Sequence, residues 1–328
     1  MKLEIVAEVS CNHRGSLDTA ILLIKEAKNA GADAVKFQFW TPGSMVLDRG
    51  YKVQEGPWVG RSLAELYETT QTPLEWIPAL MQAGREIGIE VFGSVFDVDA
   101  LKVLEDQGCP RYKIASFELT DLPLIRAVAA TGKPIILSTG MADEREIGQA
   151  LEAVGRDEGV TLLHCSSAYP APLESLNLQA MVEMGKAWGL PVGFSDHTIG
   201  TDAAAAATAM GAVMIEKHLT TRFGGGEDAK FSADPVEFWW LVEECRKVAQ
   251  MKGLGIIGCN PDEEPHRALR RSLYFAWDMD EGVAISPDSV RTARPALGLA
   301  PARLPEVIGR TLTRAVRRGE PVIDSDLK

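Results

Sequence analysis

The first 255 residues repeat one phrase: a glycine, a short apolar run rich in β-branched side chains, then polar residues. It occurs as Gly31-ADAVKFQ, Gly88-IEVFGSVFD, Gly108-CPRYKIAS, Gly132-KPIILSTG, Gly159-VTLLHCSS, Gly189-LPVGFSDH and Gly211-AVMIEKHL. With the opening run Leu3–Ser10 this makes eight segments. Near-continuous apolar runs of this length predict strands buried on both faces, as in a parallel sheet. Each leading glycine suits the left-handed position that ends a helix.

Helical patterns fill the gaps and have recognisable starts. Ser16 is placed to cap a helix over Leu17–Ala30, and Asp143 with Glu146 has capping-box spacing before Ile147–Val154. Thr72-Pro73, Asp97, Asp121 and Asp234-Pro235 mark further starts. Eight strands alternating with helices over about 250 residues predict an α/β fold of the (β/α)8 TIM-barrel type. A doubly wound sheet fits less well, because its glycine fingerprint is missing. Two stretches break the rhythm. Thr41–Gln71, after the second strand, is far longer than the usual 2–6 residues of a βα loop, and with Trp58, Arg61 and Tyr67 it reads as a lid or a substrate-facing loop. After Gly253 the alternation stops; a linker and then short strands with turn signals at Asp280-Glu281-Gly282 and Arg318-Gly319-Glu320 predict a small β-rich domain. The expected organisation is a barrel over 1–255, a linker over 256–271 and the small domain over 272–328.

Charge sharpens the division. The chain holds 34 Lys+Arg against 46 Asp+Glu, a net charge of −12, which argues against binding a phosphate backbone such as nucleic acid. Residues 256–328 carry 11 basic and 11 acidic side chains, so the deficit lies wholly in the preceding residues. Five scattered cysteines, none in a CxxC pair, argue against a disulfide framework or zinc ribbon and fit a reducing, cytoplasmic compartment. No run approaches a membrane span, and the N-terminal segment reads as a strand rather than a signal peptide.

A barrel carries its chemistry at the C-terminal ends of its strands. Polar residues gather there: Glu8, Lys36, Gln38, Ser94, Lys113, Ser116, Glu118, Ser138, Thr139, His164, Ser166, Ser167, Tyr169, Ser195, Asp196, His197, Glu216, Lys217 and His218. His197 and His218 end consecutive strands, where two imidazoles could share a divalent ion with Glu8 or Asp228 nearby, or could simply bond backbone carbonyls. Lys36 and Lys113 sit inside apolar runs, and a buried lysine needs an anion. With Ser94, Ser116, Ser138, Ser167 and Ser195 they would suit a ligand bearing phosphate and carboxylate. The alternatives are a salt bridge to Glu8 or Glu118, or Schiff-base chemistry by a desolvated lysine. The run Phe223-Gly-Gly-Gly-Glu-Asp-Ala-Lys is weak evidence alone, fitting either ligand approach or a flexible turn.

Taken in order, several of these segments resemble the sialic acid synthase family. They are Glu8-Val-Ser-Cys-Asn-His-Arg-Gly15, Ala34-Val-Lys36-Phe-Gln38, Tyr112-Lys113-Ile-Ala-Ser116-Phe-Glu118, Leu137-Ser138-Thr-Gly-Met141, Ser195-Asp-His197-Thr and Glu216-Lys-His218. The tail segments Arg271-Ser-Leu-Tyr and Val290-Arg-Thr-Ala-Arg294-Pro resemble the antifreeze-like (SAF) domain of these synthases. Gly56-Pro-Trp-Val-Gly-Arg-Ser-Leu-Ala-Glu-Leu-Tyr67, Thr72–Trp76, Ser116–Asp121 and Ser166–Pro172 are similar to the pseudaminic acid synthase branch.

The resemblance implies condensation of phosphoenolpyruvate with an acetamido aldose to give a nine-carbon nonulosonic acid and phosphate. It implies a divalent ion, Mn2+ ahead of Mg2+ or Co2+, on His197 and His218. Lys36, Ser94, Lys113, Ser116, Ser138, Ser167 and Ser195 would hold phosphoenolpyruvate. Glu8, Glu118, Tyr169 and Asp228 would contact the sugar or handle protons, and Glu8, Lys36, Lys113, Glu118, Glu216 and Asp228 form the catalytic set. Arg294 would reach the sugar in the partner's barrel, implying a domain-swapped homodimer. The chain departs from the family at Ala296, where Gly is usual, and at Val95, where Pro is common. The acceptor implied is a diacetamido-trideoxy-altrose, with its legionaminic-type isomer and N-acetylmannosamine as alternatives. An aldolase or a non-catalytic sugar-binding barrel is more remote.

Overall fold

The computed structural model describes residues 2–56, 58–253 and 255–328, so Pro57 of the Gly56–Tyr67 motif lies outside the described residues together with Met1 and Leu254. The chain divides into two compact units, Met1–Gly253 and Leu254–Lys328.

In the first unit, β1 (Glu4–Glu8), β2 (Ala34–Phe39), β3 (Glu90–Val95), β4 (Tyr112–Ile114), β5 (Ile135–Ser138), β6 (Val160–His164), β7 (Val192–Asp196) and β8 (Met214–His218) close into a barrel in sequence order. Every neighbouring pair is parallel, and the ring closes where Glu8 of β1 stands opposite Lys36 on one side and His218 on the other. The eight expected strands are all present. Helices cover the outside because their apolar positions recur at helical spacing: Leu17–Asn29 buries Ala20, Leu23, Ile24 and Ala27.

The starts read from sequence are realised as side-chain caps. Ser16 accepts from Thr19 N, Asp97 from Ala100 N and Asp121 from Leu124 N, while Asp143–Glu146 and Asp234–Glu237 form capping boxes. Thr72 is the exception. Its hydroxyl meets His13 Nε2 at 3.1 Å, and a 3-10 turn over Leu74–Trp76 precedes the helix Ile77–Ile87. Gly159 also departs from expectation: the helix Glu144–Val154 ends at Gly155, and Gly159 leads directly into β6.

At the N-terminal end of the barrel, Arg111 pairs with Glu4 and Glu90 and lies over the Phe92 ring at 4.4 Å from its centroid. The opposite end carries the long loops. Three successive glycines after β8 have positive φ, and a Cβ at Gly225 or Gly226 would strike Arg14 or Asn12, so their lack of side chains lets this loop lie on the turn after β1.

The second unit pairs β9 (Ser272–Phe275) with β10 (Val290–Ala293) antiparallel around its own core of Leu273, Phe275, Ile285, Val307 and Val322. A 3-10 turn over Glu264–Leu269 occupies part of the segment read as a linker. No helix among the described residues is long and apolar enough to cross a membrane.

Candidate active site

Strand alternation decides which polar residues face the barrel axis. On β7 and β8 it turns Ser195, His197, Glu216 and His218 into a cavity of about 820 Å³, which Glu8, Lys36 and Lys113 also line. Asp196 and Lys217 go to the outer face and pair there at 2.9 Å. His164 is likewise diverted, its Nε2 meeting Leu176 O at 2.7 Å, and Thr139 donates to Leu163 O. Of the polar strand ends read from sequence, these four, together with Ser94 and Ser166, do not line the cavity.

The floor is a buried charge cluster. Lys113 Nζ donates to both oxygens of Glu216 at 2.9 and 3.0 Å, and Ser195 Oγ donates to the same carboxylate at 2.9 Å. Lys36 pairs with Glu8, stands 3.8 Å from Glu216 and donates to Ser94 Oγ at 2.9 Å. Gln38 Nε2 donates to Glu8 Oε1 at 2.9 Å. The alternative of a lysine–Glu8 bridge is thus realised, with Glu216 rather than Glu118 as the second carboxylate, and Ser94 sits beneath Lys36 instead of lining the cavity.

Burial opposes the charge on Glu216, yet Lys113 and Lys36 outweigh it and hold the carboxyl well below the usual range. At Glu8 burial wins over Lys36 and the carboxyl is raised. Burial also pulls Lys113 down against the attraction of Glu216, whereas at Lys36 the two carboxylates prevail over burial and the ammonium is strengthened.

Beside this floor lies a cradle of small donors. Ser116, Ser138 and Ser167 line the cavity. Ser116 Oγ accepts from Gly140 N at 3.1 Å and lies 3.2 Å from Cys165 Sγ, while Ser167 Oγ is enclosed without a hydrogen-bond partner. Gly140 makes the cradle possible: a methyl there would overlap Ser167 Oγ and stand 2.8 Å from Ser116 Oγ and 2.9 Å from Cys165 Sγ.

The two histidines face each other with ring centroids 5.5 Å apart. His197 Nδ1 meets Ser166 O at 2.7 Å, so it carries the proton and leaves Nε2 as the lone-pair nitrogen, 3.4 Å from Ser195 Oγ. His218 Nδ1 is buried without a hydrogen bond, 3.7 Å from Asp228 Oδ2. Burial lowers His197 to about 4 and His218 well below its ordinary value, so both rings are neutral at physiological pH. Two neutral imidazoles are ligands a borderline divalent ion accepts. Among the described residues no group of three His, Cys, Asp or Glu side chains is gathered as a metal site, and the two imidazoles by themselves would leave the rest of a bound ion's shell to water and substrate oxygen.

Three further groups define the upper wall. Asp228 accepts from Ser10 Oγ at 2.5 Å and is raised by burial. Glu118 has one carboxylate oxygen enclosed without a partner, and burial lifts it to about 7. Tyr169 packs on His197 at 4.4 Å and on Phe231 at 5.1 Å. The long loop after β2 closes over this wall, as its length predicted: Trp58 reaches Tyr169 and Phe231 with centroids 6.0 and 6.3 Å away, and Arg61 pairs with Glu227.

Sequence reasoning missed Ser10 and Phe231. Ser10 belongs to the Glu8–Gly15 motif but takes a left-handed backbone (φ 48°), which no pattern signalled. Arg294 belongs to the second unit, where it is exposed just past β10. Its neighbour Pro295 is held through its carbonyl, which accepts from Ser272 Oγ and Tyr274 OH.

Comparison with known proteins identifies the family of both units. Residues 23–256 match the NeuB family and residues 270–328 match the SAF domain. A pseudaminic acid synthase of Helicobacter pylori is 38% identical over 332 residues, spanning 99% of this chain and 98% of its own length. An N,N'-diacetyllegionaminic acid synthase of Campylobacter jejuni is 33% identical, spanning 97% of this chain and 98% of its own. The crystal structure of N-acetylneuraminic acid synthetase from Leptospira borgpetersenii, solved with citrate, superposes with a TM-score of 0.75 at 30% identity, covering 81% of this chain and 90% of that one. A closed eight-stranded barrel with this site, joined to an SAF domain, is an enzyme of the sialic acid synthase type, and the chain belongs to the NeuB family.

Proposed function

We propose that this enzyme condenses phosphoenolpyruvate with 2,4-diacetamido-2,4,6-trideoxy-altrose, forming pseudaminic acid and phosphate. The observation that carries the reading is the meeting, in one cavity, of a lysine–carboxylate floor, a cradle of serine hydroxyls and two neutral facing imidazoles. The identity to pseudaminic acid synthases over nearly the whole chain supports the choice of acceptor.

Phosphoenolpyruvate is a small trianion, and the floor offers it two ammonium groups. Both are already compensated by Glu8 and Glu216, so the ligand's charge is met by loosening those pairs and by the hydroxyls of Ser116, Ser138, Ser167 and Ser195. A divalent ion held by His197 and His218 would supply Lewis acidity toward the aldehyde oxygen of the open-chain sugar. Carbon 3 of phosphoenolpyruvate attacks the aldehyde carbon, leaving carbon 2 cationic; water adds there and phosphate departs. Glu118, lifted by burial to about 7, keeps a proton near neutrality that an exposed carboxyl would lose and so can give it to the new alkoxide, while the Asp228 carboxyl, raised by burial, is the more basic acceptor for a proton of the attacking water. Trp58, Tyr169 and Phe231 give the cavity an apolar, aromatic wall beside the two imidazoles.

The same reading places the enzyme in the cytoplasm as a domain-swapped homodimer, with Arg294 of one protomer meeting the sugar in its partner's barrel. The guanidinium fork suits acyl and hydroxyl oxygens. A second reading, a lysine Schiff-base aldolase, is favoured only by the depressed basicity of Lys113.

The test is phosphate release from phosphoenolpyruvate with the diacetamido altrose, its legionaminic-type isomer and N-acetylmannosamine, each with and without chelator. Turnover greatest with the altrose and abolished by chelator is expected. Preference for another sugar would move the assignment to that branch. Chelator-resistant turnover with borohydride trapping at Lys113 would replace the mechanism.

A further inference from the structure

The outward face of the barrel carries an anomaly beside the two histidines. In the register of β1 with its neighbours, Lys217 stands opposite Ala7, and Ala7 stands opposite Val35. Ala7 and Val35 are fully buried apolar side chains, as the layer between strands and helices requires. At the same level β7 and β8 bury a full ion pair, with Asp196 0% and Lys217 1% exposed. Apolar residues of similar volume usually serve stability as well or better at such a place, so stability alone does not explain the pair.

Its bonding explains it. Lys217 Nζ donates to Asp196 Oδ2 at 2.9 Å and to Thr198 O, while Asp196 Oδ1 accepts from Thr198 N at 2.8 Å and from Thr198 Oγ1 at 2.7 Å. One ammonium thus grips the residue before His197 and the residue after it. Lys217 itself immediately precedes His218. The backbone positions that carry both imidazoles are locked together from behind. On the inner side, among the described residues, the His197 ring has hydrogen-bond partners only in Ser166 O and, at 3.4 Å, Ser195 Oγ, besides its packing on Tyr169, and His218 Nδ1 has no hydrogen bond.

We infer that the buried Asp196–Lys217–Thr198 cluster is a positioning device that sets the reach between the His197 and His218 rings from the outer face of the barrel. The inference rests on the proposed role of these rings as divalent-ion ligands. The cluster touches neither substrate nor ion; it fixes how far apart the two nitrogens are presented.

The experiment is Mn2+ titration by calorimetry into full-length, metal-free protein, comparing wild type with K217M and with the double variant D196N/K217M. The double variant leaves no lone buried charge and so guards against simple misfolding. Loss of a supporting partner behind metal-ligating histidines typically weakens the metal by about 10- to 100-fold. The expected result is a drop of that size in Mn2+ affinity in the folded double variant, with phosphoenolpyruvate affinity within twofold of wild type. Mn2+ affinity unchanged within twofold would overturn the positioning role and leave the proposed chemistry standing. Equal losses of Mn2+ and phosphoenolpyruvate affinity would mark general damage and overturn it too. Wild type that binds no Mn2+ would overturn both the inference and the metal reading beneath it.

Discussion

Replacing Gly140 by alanine tests the phosphate cradle with a single methyl group. The glycine adopts an ordinary backbone conformation, so the substitution introduces no φ strain, and its effect is purely one of occupied space. That space belongs to three side-chain ends: Ser167 Oγ, Ser116 Oγ at 2.8 Å and Cys165 Sγ at 2.9 Å. The hydroxyls can rotate away, so the fold survives at the usual overpacking cost of about 1–3 kcal/mol. They cannot rotate away and still aim at the same ligand. Counting one hydrogen bond to a charged acceptor as lost gives about 1.5–3 kcal/mol. That corresponds to about a 10- to 150-fold weaker hold on phosphoenolpyruvate. The assay pairs the KM for phosphoenolpyruvate, read from phosphate release, with a direct calorimetric Kd. The acceptor KM should change little. Gly148, in the helix Glu144–Val154 with open space around its missing Cβ, supplies the control, because its alanine variant should stabilise the helix and leave both KM values alone. Folded G140A protein whose phosphoenolpyruvate affinity stays within threefold of wild type would refute the cradle.

Two further expectations concern Glu118 and the loop. Because burial raises the Glu118 carboxyl from 4.5 to about 7, the folded protein keeps a proton that the unfolded chain releases, so this group's contribution to stability is full below about pH 4.5 and is lost as pH rises to about 7. E118Q should flatten that part of the pH dependence of the urea midpoint and remove a limb near pH 7 from the rate profile; an unaltered profile would assign the titration elsewhere. The Arg61–Glu227 pair is 38% and 40% exposed, so it contributes only about 0.2–1 kcal/mol and R61A should raise the acceptor KM about 1.5- to 5-fold at low salt. The effect should fade at high salt and be recovered in R61E/E227R; a larger, salt-independent loss would mean that Arg61 itself touches the ligand.

The barrel was legible because seven of the eight strands announce themselves twice, by a glycine and by an apolar run, and the eight segments leave few alternative folds. The site was legible in kind but not in orientation. Collecting every polar residue at the strand ends gathered Lys217, Asp196 and Thr139 together with Glu216, Ser195 and Ser138, although a two-residue period places them on opposite faces. Applied strand by strand from Lys36 and Gln38, that period separates the two sets. Other features had no local signal. The choice of Glu216 as partner for Lys113 depends on two strands meeting across the barrel, 103 residues apart in sequence. The contact of Ser10 with Asp228 spans 218 residues. Such pairings are set by ring closure, which no local window contains.

That closure has a cost in time. β1 borders β8 along its whole length, and the bonds from Asn12 to Leu219 O and to Ser232 tie the first loop to the last. During synthesis at about 5–20 residues per second, β1 waits about 10–40 s for its second neighbour to leave the ribosome. For that interval an apolar strand has one bare edge, the geometry from which misassembly starts. The polar chemistry at its C-terminal end, Glu8 and Ser10, is then without His218 and Asp228. A nascent barrel therefore has neither a sealed edge nor a working pocket, and the same late strand completes both.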